Sequence, residues 1–183
     1  MKELSLNVLD IAMNSVKAKA TLIKIHINED DERLKMEIID NGCGMTPEFL
    51  AGVIDPFCTT RTTRKVGLGI PLLKLAAQQT GGDVTISSQH ESQSPKNHGT
   101  HVVAIFYKQH IDFTPMGDII STVTTLIQGS PDIDFDFRHN SNTFDVALDT
   151  REVREVLGPE IPLSEPEILS WIADNLREQY KNI

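Results

Sequence analysis

The chain has 183 residues, 39% of them hydrophobic and 23% charged, with 26 acidic side chains against 17 basic ones and a net charge of −9. That apolar content can build one good core and a small second one, while no apolar run approaches the ~18 residues of a bilayer-spanning helix and the N-terminus lacks the zones of a signal peptide, so a cytoplasmic location is expected. The only cysteines, Cys43 and Cys58, are too few for a disulfide framework or a cysteine-rich metal centre and are expected to be free thiols.

Residues 3–19 carry Leu6, Leu9, Ile11, Ala12, Met13 and Val16 at helical recurrence, uninterrupted by glycine or proline, which predicts a helix. Residues 22–28 alternate as a strand, Glu29 to Glu32 form a charged turn, and residues 34–40 alternate again, so a hairpin follows. Pro71 suits the first turn of a second helix, which Leu72, Leu73, Leu75, Ala76 and Ala77 carry to a stop at Gly81-Gly82. Strands are expected near 83–88 and 100–107, joined by a polar loop from His90 to His98 that contains Pro95. This order predicts an α+β fold, a two-layer α/β sandwich with helices on one face of a mainly antiparallel sheet.

Further along, residues 116–128 repeat Ile119, Ile120, Val123, Leu126 and Ile127 on a helical period. Ile133, Phe135 and Phe137, then Phe144, Val146 and Leu148, alternate as a second hairpin around the turn at His139 to Asn142. A short helix over 150–157 and a final amphipathic helix opened by Ser164-Glu165-Pro166-Glu167 complete an α-β-β-α-α module. Charge marks the division: residues 1–108 hold 12 basic and 12 acidic side chains, residues 109–183 hold 5 and 14. The reading is therefore a first domain over 1–108 and an acidic module over 109–183. An acidic surface repels phosphate backbones and anionic lipid, which argues against nucleic acid or membrane as the main partner; acidity also simply keeps a small domain soluble, and a basic protein partner is the sharper reading.

Four short runs carry chemistry. Asp10, Asn14 and Lys17 are spaced i, i+4, i+7 and share one helix face opposite the apolar stripe. Asp40-Asn41-Gly42-Cys43-Gly44-Met45 directly follows an apolar strand. Thr59 to Lys65 is wholly hydroxyl or cationic, supplying the charge and donors that suit a triphosphate. Gly67-Leu68-Gly69-Ile70 precedes Pro71, where glycine amides at the positive end of a helix can cradle phosphate. Either glycine run alone is also an ordinary turn. His90, His98 and His101 lack the spaced carboxylates or cysteines of a zinc site and take no metal role.

In order and spacing these runs resemble the GHKL ATPase superfamily of gyrase-type topoisomerases, chaperones, two-component histidine kinases and MutL proteins, over residues 3 to about 107. The resemblance implies a Bergerat-type ATP-binding fold and ATP with Mg²⁺ as cofactors. It assigns Asn14 to the metal, Lys17 to the phosphates and Asp40 to the adenine amine, with Gly42, Gly44 and Met45 lining the base. Phe57 in Asp55-Pro56-Phe57 corresponds to the aromatic at the base of the ATP lid, and Thr60, Arg61 and Lys65 to that lid. Gly67, Leu68 and Gly69 form the second glycine block, and Thr100 helps to hold the adenine-contacting aspartate, directly or through water.

Two departures qualify the match. Asp10 stands where hydrolytic members place Glu, one methylene longer, so fast hydrolysis is not expected from it as catalytic base. Lys65 stands where kinases usually show a further glycine. Because the first motif helix begins almost at Met1, no room is left for a phosphoacceptor-histidine hairpin, and a self-contained sensor kinase is not expected. The leading reading is a stand-alone, histidine-kinase-like domain that phosphorylates or regulates a protein partner in trans. The alternatives are a nucleotide-gated interaction module with little catalysis, and a slow ATPase, for which the MutL-like stretch Ala18 to Ile25 speaks.

Overall fold

The computed structural model describes residues 3–54 and 68–181. Helix α1 (Leu4–Lys17) leads into the hairpin β1 (Leu22–Glu29) and β2 (Arg33–Asp40), then α2 (Pro47–Ile54) and α3 (Gly69–Gln79). The hairpin β3 (Asp83–Gln89) and β4 (Gly99–Tyr107) follows, then α4 (Ile119–Gly129), β5 (Asp134–Asn140), β6 (Asp145–Asp149), α5 (Thr150–Leu157) and α6 (Pro166–Lys181). The strands form one six-stranded sheet in the order β3-β4-β2-β1-β5-β6. Every neighbouring pair is antiparallel except β1 with β5, so the mixed α+β architecture expected from the sequence is present.

Alternation decides which face of the sheet is covered. Ile23, Ile25 and Ile27 of β1 are fully buried, as are Phe135 and Phe137 of β5 and Phe106 of β4 or nearly so, and all join one apolar cluster with Leu4, Val8 and Ile11 of α1. The residues between them turn to the opposite face, which is polar: Asp136 is bonded by Arg138 at 3.0 Å and lies 3.4 Å from His26, and Glu37 is flanked by Lys35 and His101. The position after residue 108, where the charge balance changes, falls between β4 and α4, and the sheet continues across it through the β1–β5 ladder. Val123, Leu126, Ile127 and Leu176 of the acidic part belong to the same core cluster as α1.

Three local details differ from the sequence pattern. Helix α2 has no counterpart in it; the Thr46 hydroxyl accepts from the Phe49 amide at 3.3 Å and Pro47 takes the first helical position, where a missing N–H costs nothing. Helix α3 starts two residues ahead of Pro71, which still falls within the turn whose amides have no helical acceptor. Helix α4 starts at Ile119 rather than 116, because Gly117 holds a left-handed φ of 74° and Asp118 caps the helix by accepting from the Ser121 amide at 2.9 Å. At the sheet edge, the Gln179 side chain of α6 donates to Ala147 O at 3.0 Å and accepts from Ala147 N at 2.8 Å.

Candidate functional site

The end of β2 meets the C-terminal end of α1, and Asp40 lies between them. Asp40 is only 9% exposed. The buried Ser15 hydroxyl donates to Oδ2 at 2.6 Å, and the Gly42 amide donates to Oδ1 at 2.9 Å. A carboxylate offers about four acceptor positions. Two remain for a donor from outside the chain.

The loop after Asp40 is fixed on several sides. Asn41 accepts from the amides of Thr21 and Leu22, both at 2.9 Å, and Cys43 N donates to Ala18 O at 2.9 Å. This lays the loop so close against α1 that a Cβ on Gly42 would stand 2.7 Å from Ala18 O. Gly44 holds a φ of 68°, and its Cβ would stand 1.9 Å from Gln89 O. His98 Nδ1 donates to Gly42 O at 2.5 Å, and Glu91 N to Cys43 O at 2.9 Å. Met45 N donates to Ser88 Oγ at 2.8 Å; that hydroxyl also lies 2.9 Å from both Gly99 O and Thr100 Oγ1. Cys43 is a half-buried free thiol.

On α1, Asp10 and Lys17 are exposed and Asn14 is half-buried. Among the described residues none of these three side chains has an intramolecular hydrogen bond or ion pair. The first residue of α3 comes up against the same flank: a Cβ on Gly69 would lie 3.2 Å from Asp10 Cβ. Leu68, the residue ahead of α3, is 69% exposed and gives no side-chain cap, and the amides of the buried Gly69 and Ile70 stand in the first turn, where no helical acceptor exists.

The described structure thus sets Gly69 against Asp10 and the Asp40–Gly42 turn against Ser15 and Ala18, with Asn14 between these two contacts along α1, while Gly44 lies against Gln89. Thr100 faces Asp40 across the β2–β4 ladder, but its hydroxyl engages Ser88, and the bonds to Asp40 come from Ser15 and Gly42. Phe57, Thr60, Arg61, Lys65 and Gly67 lie outside the described residues. Sequence reasoning missed Ser15, Ser88 and the His98 bond. Ser15 shares the buried face of α1 with Ser5 and Asn7, so its hydroxyl, 3% exposed in the fold, carried no distinguishing signal.

Residues 1–110 match the family model described as Histidine kinase-, DNA gyrase B-, and HSP90-like ATPase. The chain belongs to that family. Among characterised proteins it is similar to the signal transduction histidine-protein kinase AtoS of Escherichia coli, 28% identical over 48% of this chain and 14% of that protein. It is also similar to a putative sensor histidine kinase, NtrY-like, of Rickettsia bellii, 24% identical over 49% of this chain and 15% of that one. The chain therefore spans only a small part of either relative. Among solved structures, the Aquifex aeolicus MutL ATPase domain complexed with ADP superposes with a TM-score of 0.54 at 15% identity, covering 86% of this chain and 69% of that one. The N-terminal domain of a DNA repair protein superposes at 0.53 with 18% identity, over 87% and 58% of the two chains.

Proposed function

We propose that the chain binds ATP with Mg²⁺ between α1, the Asp40–Met45 loop and the start of α3, and that it acts in trans on a protein partner in regulation. The observation that carries the reading is the Asp40 carboxylate: buried, oriented by Ser15 and Gly42, and with acceptor capacity left over. Adenine fits that capacity because its exocyclic amine donates. Guanine presents an oxygen there and would leave Asp40 facing another acceptor, a penalty of ~1–3 kcal/mol or more for a charged group.

The remaining groups suit the phosphates. Asn14, with no partner of its own among the described residues, would give its side-chain oxygen to Mg²⁺, which takes few protein ligands and shares the rest with phosphate and water. The ion supplies charge neutralisation of the phosphates when bound. Lys17 and the N-terminal end of the α3 dipole supply further positive potential. Residues 109–183 form the proposed partner-facing part, and the cytoplasm is the proposed place of action. Phosphoryl transfer at such a site would rest on positioning and electrostatics.

A second reading, a nucleotide-gated interaction module with little catalysis, is favoured by Asp10: the position for the catalytic base holds the shorter carboxylate, exposed and unsupported by any described hydrogen bond. Incubation with Mg²⁺ and ATP labelled on the γ-phosphate, with and without cell extract, separates the two. Label on a protein supports a kinase, and acid lability identifies phosphohistidine. Label left on ATP, with binding lost in Asp40→Asn, supports the gated module. Magnesium-independent ATP binding in wild type and Asn14→Ala alike would remove the metal assignment.

A further inference from the structure

We infer that the groove between α5 and α6 is the docking site for a basic amphipathic helix of a protein partner. This deepens the partner half of the proposed function and is independent of its nucleotide half. The groove has a volume of about 690 Å³ and is walled by Val153, Val156 and Leu157 from α5 and by Ile168 and Trp171 from α6. Val156 is 86% exposed and Trp171 54%, so two large apolar side chains face solvent across one depression.

Charge names the occupant. Glu152 and Glu167 line the groove, both exposed, and neither has an ion pair among the described residues. Asp149 beside them is already bonded by Arg151. Residues 109–183 as a whole carry 14 acidic against 5 basic side chains. An apolar floor with an acidic rim complements a helix that is apolar on one face and carries Lys or Arg along the margins. A second copy of this chain would bring like charge to like charge, and an anionic membrane would meet the same repulsion.

The backbone edge favours a helix over a strand. Strand β6 borders the groove, and its Ala147 N–H and C=O are both taken by Gln179. An added strand would have to displace that side chain, whereas a helix laid between α5 and α6 needs no backbone partner.

The test uses the full chain and a synthetic leucine–lysine amphipathic helix of roughly 18 residues, about 27 Å long. Controls are a scrambled peptide of identical composition and a leucine–glutamate version. Trp171 is the only tryptophan, so its emission reports occupancy directly. The expected result is saturable binding of the leucine–lysine helix with a blue shift, at least about tenfold weaker in Val156→Asp and in Glu152→Gln/Glu167→Gln. Trp171→Ala, followed by anisotropy of a labelled peptide, should show the same loss.

Equal binding of the scrambled or acidic peptide, or unchanged affinity in Val156→Asp, would overturn the proposal. So would dimerisation, or binding to anionic vesicles, that Val156→Asp abolishes. Asp40→Asn should bind the peptide as wild type does; equal ATP affinity in Asp40→Asn and wild type would sink the nucleotide reading while leaving the groove result standing.

Discussion

Ser15 and Asp40, 25 positions apart in the chain, meet at 2.6 Å in a site almost closed to water, with the hydroxyl of α1 donating to the terminal carboxylate of β2. The bond fixes the rotation of the carboxyl group, so its free lone pairs point one way before any ligand arrives. Preorganisation of this kind makes recognition by a single residue effective.

Asp40→Asn replaces an acceptor with a group that is half donor, and ATP affinity should fall by at least about tenfold. Ser15→Ala leaves Asp40 in place but removes one of its two donors, with an expected loss of roughly 3- to 10-fold. Calorimetric titration with ATP measures both. Unchanged affinity in the pair would remove the adenine assignment.

Gly44→Ala should destabilise the fold by roughly 2–4 kcal/mol, because the new methyl would meet a backbone oxygen from a left-handed φ. Gly129→Ala, at the last position of α4 with nothing within 4 Å, should be neutral or stabilising by up to about 1 kcal/mol. Urea denaturation of the two variants reads the contrast, and equal stabilities would show that the loop is not held as described.

His139 gives the fold an acid sensitivity. It is buried between Glu29, 3.1 Å from Nε2, and the Tyr180 hydroxyl, 2.7 Å from Nδ1, with Lys108 on the far oxygen of Glu29. Burial pushes the imidazole below its ordinary value by more than Glu29 raises it, and burial likewise pushes the Tyr180 phenol up. The unfolded chain takes up the proton near pH 6.5 while the folded chain still refuses it, so the unfolded state binds more protons and stability falls as pH drops below that value. Above it both states are neutral at this group. Unfolding free energies between about pH 5 and 7.5 should slope accordingly, and His139→Gln should flatten the slope below about pH 6.5.

A chain cut after residue 108 would lose the β1–β5 ladder and the core residues Val123, Leu126, Phe135, Phe137 and Leu176. It should be insoluble or lack a cooperative melting transition, as sedimentation and calorimetry would show. A soluble, cooperatively folded 1–108 that binds ATP would establish an autonomous first domain.

Alternation and helical recurrence made most of the elements legible, because β1, β2, β3, β4 and β6 each bury one face and show it as period two, and β5 alternates in its sequence although Asp136 is buried along with Phe135 and Phe137. Partners across the sheet were not legible. Phe135 and Phe137 announce a strand, but nothing in their spacing says that it lies parallel to β1. At the site, the glycines and Asp40 stood out because backbone proximity restricts residue type. Ser15, Ser88 and His98 did not, since a hydroxyl or imidazole reads as a surface group until a distant chain segment supplies its partner. Helix α2 passed unread although Thr46-Pro47-Glu48 carries a helix-start pattern, its eight residues being too short to show a period.

The parallel ladder between β1 and β5 also sets the order of events at the ribosome. Leu22 pairs with Asp134, so the strand at the middle of the sheet waits for more than half of the chain to be synthesised before one of its neighbours exists. At about 5–20 residues per second, that interval lasts roughly 5–20 s, during which one hydrogen-bonding flank of β1 is exposed to other nascent chains. Closing so long a loop is slow and entropically costly. Yield in a cell should therefore respond to translation rate and to chaperone supply more strongly than equilibrium stability alone would indicate.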